Sequence, residues 1–126
     1  MKFERKFFRC AVCGNIVGLI EDGGGVLICC GQNMNKLIPN TTDGAFEKHI
    51  PVGTFENGRL LVTVGSAPHP MIEAHHIMWI AVAAGNTTMR ISLNPDEAPS
   101  AEFFIKKQPA TIYAYCNLHG LWRAEM

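Results

Sequence analysis

Charge is scarce in this chain: Asp, Glu, Lys and Arg make up 17% of its 126 residues, and the formal net charge is zero. A typical globular domain is about one quarter charged. No global field is available to gather nucleic acid or an anionic membrane surface, so a charged ligand must be attracted by a group placed locally. Long apolar runs are missing too. The longest, Ile77 to Ala84, is far short of the roughly 20 residues needed to span a bilayer. The opening residues, Met1 to Arg9, alternate charge with aromatics and lack the apolar stretch of a secretory signal. The expectation is a cytoplasmic protein with reduced cysteines and no membrane or nucleic-acid partner. Helical periodicity is nearly absent, and no internal repeat or low-complexity tract is visible.

What remains is a succession of short β-prone runs between turn signals: Val26–Cys29, Leu60–Val64, His75–Val82, Thr88–Leu93, Glu102–Lys107 and Thr111–Cys116. Asn57-Gly58 is a type I′ hairpin signal, flanked by Thr54-Phe55 and Leu60-Leu61-Val62. Gly85-Asn86 separates two further runs, and Gly23-Gly24-Gly25 reads as a hairpin turn, since no helix follows to make it a phosphate loop. The pattern predicts an all-β protein, an antiparallel β-sandwich. The composition shifts at Ile38-Pro39-Asn40-Thr41-Thr42-Asp43-Gly44. The expected organisation is a small domain over residues 1–37, a linker over 38–44 and the sandwich over 45–126. A segment of about forty residues cannot bury enough core on its own, so the first domain needs a staple such as a metal.

The staple is legible. Cys10-Ala11-Val12-Cys13 is a knuckle whose short turn aims two thiolates at one ion, and Cys29-Cys30 supplies a second pair. Neighbouring strand residues face opposite sides, so both can reach one ion only if the backbone bends there, which Gly31 would ease. Sulfur-only tetrahedral sites hold zinc or iron, and the four cysteines leave that choice open.

A second donor set is spread along the rest of the chain: His49, His69, one of His75 and His76, Cys116 and His119. Cys116-x2-His119 ends a strand and enters a turn. His69 lies in a rigid Pro68-His69-Pro70 loop, and His49, two residues before Pro51, also fits a loop. His75 and His76 should point to opposite faces of one strand, and periodicity does not choose between them. Four imidazoles and one thiolate exceed what a closed structural zinc site uses and suit a redox-active metal with one position open, iron before others.

At these residues the chain resembles the superoxide reductases of the two-iron desulfoferrodoxin type. The matching motifs are Cys10-x2-Cys13, Cys29-Cys30, Glu47-Lys48-His49-Ile50-Pro51-Val52, His69-Pro70-Met71, His75 and Cys116-Asn117-Leu118-His119-Gly120, with Trp79 and Trp122-Arg123-Ala124-Glu125 also similar. The resemblance implies two irons per chain: a desulforedoxin-like centre on Cys10, Cys13, Cys29 and Cys30, and a second on His49, His69, His75, His119 and Cys116. It selects His75 as the ligand, and His76 stands where the family often has an aromatic. It further implies an immunoglobulin-like sandwich, a homodimer, a rubredoxin-like electron donor, and one-electron reduction of superoxide to hydrogen peroxide. Lys48 is expected to guide the anion and supply protons, and Glu47 to bind the oxidised metal. Read without the resemblance, Glu47-Lys48 is a solvated pair beside a turn. The rival functions are a non-catalytic iron electron carrier and a protein with two structural zinc sites.

Overall fold

The computed structural model describes residues 4–42 and 44–126. Met1–Phe3 of the charged, aromatic opening and Asp43 of the expected linker lie outside the described residues. The chain divides into two compact units, Met1–Ile38 and Pro39–Met126.

In the first unit β1 (Lys6–Arg9) pairs antiparallel with β2 (Ile16–Leu19), while β3 (Ile28–Cys29) and β4 (Gln32–Asn33) form a separate hairpin. β5 (Asn35–Lys36) returns to the free edge of β1. Cys30 and Gly31 form the two-residue turn between β3 and β4, with φ of 52° and 76°. Positive φ at both central residues is the type I′ geometry. The bend needed between the adjacent cysteines is therefore present, and Cys30 itself adopts the left-handed conformation beside Gly31. Two sequence expectations fail here. The strand predicted over Val26–Cys29 is confined to its last two residues. Gly23–Gly25 is no hairpin turn: β2 and β3 belong to different sheets, and the Asp22 carboxylate accepts the Gly24 N–H at 2.9 Å to shape a loop between them.

The second unit begins with a single helical turn, α1 (Phe46–His49), where a loop was expected around His49. Four residues are too few to leave a periodic signature. The turn stops because Ile50, which precedes Pro51, is driven into extended backbone (φ −67°, ψ 119°). Two antiparallel sheets follow. One has the order β10 (Ser100–Phe103), β7 (Arg59–Val64), β6 (Pro51–Glu56). The other has the order β12 (Gly120–Glu125), β11 (Thr111–Cys116), β8 (Ile77–Ala84), β9 (Thr87–Ser92). Asn57-Gly58 closes the β6–β7 hairpin with φ of 52° and 77°, as its residues predict. Gly85-Asn86 joins β8 to β9 in the same two-residue span.

Between the sheets lies a core that includes Leu60, Val62, Val64, Ile77, Ile80, Val82, Phe103, Ile112 and Ala114, which are 3% exposed or less. The sheets approach so closely at Gly53 that an added Cβ would lie 2.6 Å from Ile112 Cδ1. Asn40 fastens the free edge of β12: its side chain accepts from Arg123 N–H at 2.8 Å and donates to Arg123 C=O at 3.2 Å, imitating a strand neighbour. β8 starts two residues later than predicted, because His75 and Ile72 exchange both main-chain hydrogen bonds across a tight turn. β10 starts and ends earlier than the expected Glu102–Lys107 run. The architecture is the predicted all-β one, a small cysteine-bearing domain and a β-sandwich.

Candidate metal centres

In the first unit the knuckle is shaped by main-chain bonds from Gly14 N–H to Cys10 C=O and from Cys10 N–H to Asn15 C=O, each 2.9 Å. The amides of Val12 and Cys13 both point at Cys10 Sγ, 3.4 Å away, and the Asn15 amide points at Cys13 Sγ at the same distance. The Asn15 carboxamide reaches Cys29 Sγ at 3.7 Å. Cys13 and Cys29 sulfurs are 3.6 Å apart, Cys29 and Cys30 sulfurs 3.9 Å, and all four lie within 4.8 Å of one another with no disulfide. Sulfurs about 2.3 Å from a shared tetrahedral ion sit about 3.8 Å apart, so the four fit one metal. Amide hydrogen bonds, chiefly that of Cys13, lower the Cys10 thiol to about 6. Its neighbours, Cys13 first, push Cys30 up to about 12. The Cys10 thiolate is favoured, and loss of the Cys29 and Cys30 protons is opposed until a cation sits among the sulfurs.

The second set is assembled from four separate segments. α1 carries His49, the loop after β7 carries His69, the turn before β8 carries His75, and the end of β11 with the turn after it carries Cys116 and His119. His49, His69 and Cys116 are buried and His75 and His119 half-buried. Taken in the order 49, 69, 75, 119, adjacent ring centroids are 4.6, 4.8, 4.9 and 4.8 Å apart and adjacent planes stand at 75° to 86°. The His49–His75 diagonal is 6.3 Å. Four imidazoles thus stand edge to face around a square. His49 Nε2 is 3.1 Å from His69 Nε2 and 3.0 Å from His119 Nδ1, and Cys116 Sγ is 3.8 Å from that same Nδ1. Nitrogens about 2.1 Å from one centre and at right angles would be spaced about 3.0 Å.

Donor chemistry gives the same answer. His49 and His69 place Nδ1 2.7 Å from the carbonyls of Ala45 and Pro70, which fixes the proton on Nδ1 and leaves both Nε2 atoms as lone pairs facing each other. His75 Nε2 is buried with no hydrogen-bond partner. Facing lone pairs repel unless a cation lies between them, so the quartet fits a metal. Burial lowers the pKa of His49, His69 and His75, that of His69 to about 4, which keeps these rings neutral and ready to bind at neutral pH. Burial also raises the Cys116 thiol, opposed by the amides of Leu118 and His119 that point at its sulfur.

Of the residues that frame this set, Gly44 and Gly65 carry no obvious sequence signal. The Trp122 ring stacks on His49 (centroids 4.8 Å, 26°), and its Nε1–H donates to His119 C=O at 3.0 Å. Gly44 lies against three rings at once: a Cβ there would be 3.2 Å from His49 and 3.3 Å from both His119 and Trp122. Gly65 presses on α1, where a Cβ would be 2.5 Å from Glu47 C=O, and Ala67 N–H donates to that carbonyl at 2.8 Å. Glu47 and Lys48 expose their side chains on α1, directly before His49. The Lys48 charge is near enough to contribute, behind burial, to the lowered pKa of His49 and His75. His76 stays outside the quartet, its N–H donating to Asn117 Oδ1 at 2.9 Å. No helix among the described residues is long and apolar enough to cross a membrane.

A family model described as Desulfoferrodoxin matches residues 41–125, and one described as Desulfoferrodoxin, N-terminal domain, matches residues 4–37. The chain is 46% identical over 125 residues to a desulfoferrodoxin of Syntrophotalea carbinolica and 45% identical over 125 residues to one of Nitratidesulfovibrio vulgaris, covering 99% of both chains in each case. Its fold is similar to the crystal structure of the superoxide reductase from Treponema pallidum, with a TM-score of 0.78, 30% identity, and 96% and 98% of the two chains covered. On these matches the chain belongs to the desulfoferrodoxin family, and its two donor groups, one of four cysteines and one of four histidines with Cys116, are consistent with that family's two iron sites.

Proposed function

We propose that the chain is a superoxide reductase, converting superoxide to hydrogen peroxide by one-electron reduction without forming dioxygen. The observation that carries this reading is the convergence of four imidazole nitrogens and the Cys116 sulfur on one point. His49, His69, His75, His119 and Cys116 would hold one iron, and Cys10, Cys13, Cys29 and Cys30 the other. Ferrous iron bound among the four imidazoles and Cys116 supplies the single electron that, with two protons, takes superoxide to hydrogen peroxide.

The residues do the rest. Neutral imidazoles add no negative charge, so the set keeps an attraction for a small anion that only the Cys116 thiolate offsets. That thiolate would also donate electron density to a metal held there. Lys48 places an exposed cation one residue from His49, where it draws in superoxide over roughly the 10 Å Debye length and holds water as a proton source. Glu47, its neighbour on α1, is the carboxylate suited to a more highly charged, oxidised metal. A cytoplasmic location, a homodimeric assembly and a rubredoxin-like electron donor complete the proposal.

Rapid mixing of the ferrous protein with superoxide tests it. One hydrogen peroxide per superoxide, with no dioxygen, is expected. Lys48→Ala should slow the reaction by about tenfold or more and flatten its dependence on salt. Dioxygen released at half the superoxide consumed would mean dismutation instead, and superoxide decay at its uncatalysed rate would leave only an electron carrier.

A further inference from the structure

Two of the four converging imidazoles have a ring anchor outside the quartet. His49 and His69 donate Nδ1–H to carbonyls, and the main chain of His119 is tied to Trp122. His75 has none: its Nε2 is buried and unpartnered, and no hydrogen bond to the rest of its ring is found among the described residues. Its position therefore depends on its main chain. Regular pairing does not supply this, because the β8–β11 ladder slips after Tyr115↔Trp79 and ends at Cys116↔Ile77. The bonds exchanged by His75 and Ile72 shape their own turn and leave its placement against the rest of the set open.

One side chain crosses that gap. Asn117 Nδ2 donates to Ala74 C=O at 3.0 Å, and Asn117 Oδ1 accepts from His76 N–H at 2.9 Å, so a single carboxamide grips the residues on both sides of His75. The Asn117 main-chain N–H adds a bond to His76 C=O at 3.2 Å. Asn117 directly follows Cys116 and lies two residues before His119. The grip consequently links three members of the donor set. The chemistry is selective, since a carboxamide offers a donor and an acceptor from one plane whereas a carboxylate offers only acceptors and an aliphatic side chain neither.

We propose that Asn117 is a positioning residue for the second centre, its carboxamide setting His75 against Cys116 and His119. This rests on reading the quartet as a metal site. The expectation follows the general behaviour of outer hydrogen-bond partners of metal ligands, whose loss weakens metal binding by about 10- to 100-fold.

The test is anaerobic competition of the full-length protein against a chelator for ferrous iron, with visible and EPR spectra of the oxidised samples. Asn117→Ala is expected to weaken iron binding at the second centre by about 10- to 100-fold and to shift its thiolate-to-iron absorption, with the four-cysteine centre unchanged. Asn117→Asp keeps the acceptor and loses the donor. It is expected to fold, lose affinity by a smaller factor and shift the band in the same direction, which decides the matter should the alanine variant not fold. Unchanged affinity and an unmoved band in both variants overturn the proposal. So does an equal loss at the four-cysteine centre, the mark of a general structural defect. A parent protein that binds no iron at the second centre would instead overturn the reading beneath it.

Discussion

The two units assemble their donors by opposite means. In Met1–Ile38 the only buried apolar side chains among the described residues are Phe7 and Cys10, Cys13 and Cys30 are exposed, and the strands have two to four residues. The sulfurs meet because two tight turns, Cys10–Cys13 and Cys30-Gly31, bring them together, and a bound metal would then hold the turns. In Pro39–Met126 the sequence of causes is reversed. A close-packed sandwich fixes four separate segments, and the donors converge as a result of packing done elsewhere. A local centre makes its fold, and a distributed centre is made by its fold.

The sharpest way to break this contrast is to remove one sulfur. Cys10→Ser, or chelation of the metal, should cost the first unit its structure, because metal binding by small sulfur sites is worth on the order of 10 kcal/mol. Hydrogen exchange should lose protection in β1, β2 and β5 while β8 and β11 keep theirs. Loss of protection in both units together would show that the sandwich also depends on the first centre. The converse is Ile112→Ala, which empties a fully buried position in the sandwich. A cost of about 2–5 kcal/mol is expected in denaturant unfolding followed by fluorescence, since Trp79 and Trp122 are the chain's two tryptophans and both lie in the second unit. The absorption of the four-cysteine centre should persist through that transition.

Acid should separate the units more gently. Residues 1–38 contain no histidine, whereas burial lowers the pKa of His49, His69 and His75, that of His69 to about 4. Below the ordinary 6.5 the unfolded chain takes up protons that the folded rings refuse. Stability of the metal-free sandwich therefore falls as pH drops from 6.5 toward 4. A flat denaturation midpoint across that window would contradict the burial of these rings. The smallest effect belongs to Asn15, whose carboxamide points at Cys29 Sγ. Removing a hydrogen bond worth about 1 kcal/mol to the sulfur, by Asn15→Ala, should lower the potential of an iron held there by about 40 mV, read by redox titration. An unmoved potential would mean the contact does not tune the centre.

The same contrast explains what could be read ahead of the structure. The Asn57-Gly58 turn, the Thr111–Cys116 strand and the bend at Cys29-Cys30 follow from a few neighbouring residues, and the structure contains all three. The glycine run Gly23–Gly25 permits reversal without specifying which strands pair, and β2 and β3 join different sheets. The single turn of α1 leaves no periodic face to read, because Pro51 acting on Ile50 stops it after four residues. Periodicity leaves the choice between His75 and His76 open because it extends the strand over both, whereas the tight turn with Ile72 places them before β8.

The sequence by itself determined the all-β class, the inventory of sulfur and imidazole donors and the local cysteine knuckle, since these rest on residue type and on spacings of a few bonds. Tertiary structure alone decided that His49, His69, His75 and His119 stand edge to face round a square, that Trp122 and Gly44 pack against them, and that Asn117 spans the break between Cys116 and His75. The reason is physical: residues dozens of positions apart share no local energy term, and only the packing of two sheets fixes their distances to within the fraction of an ångström that a metal requires.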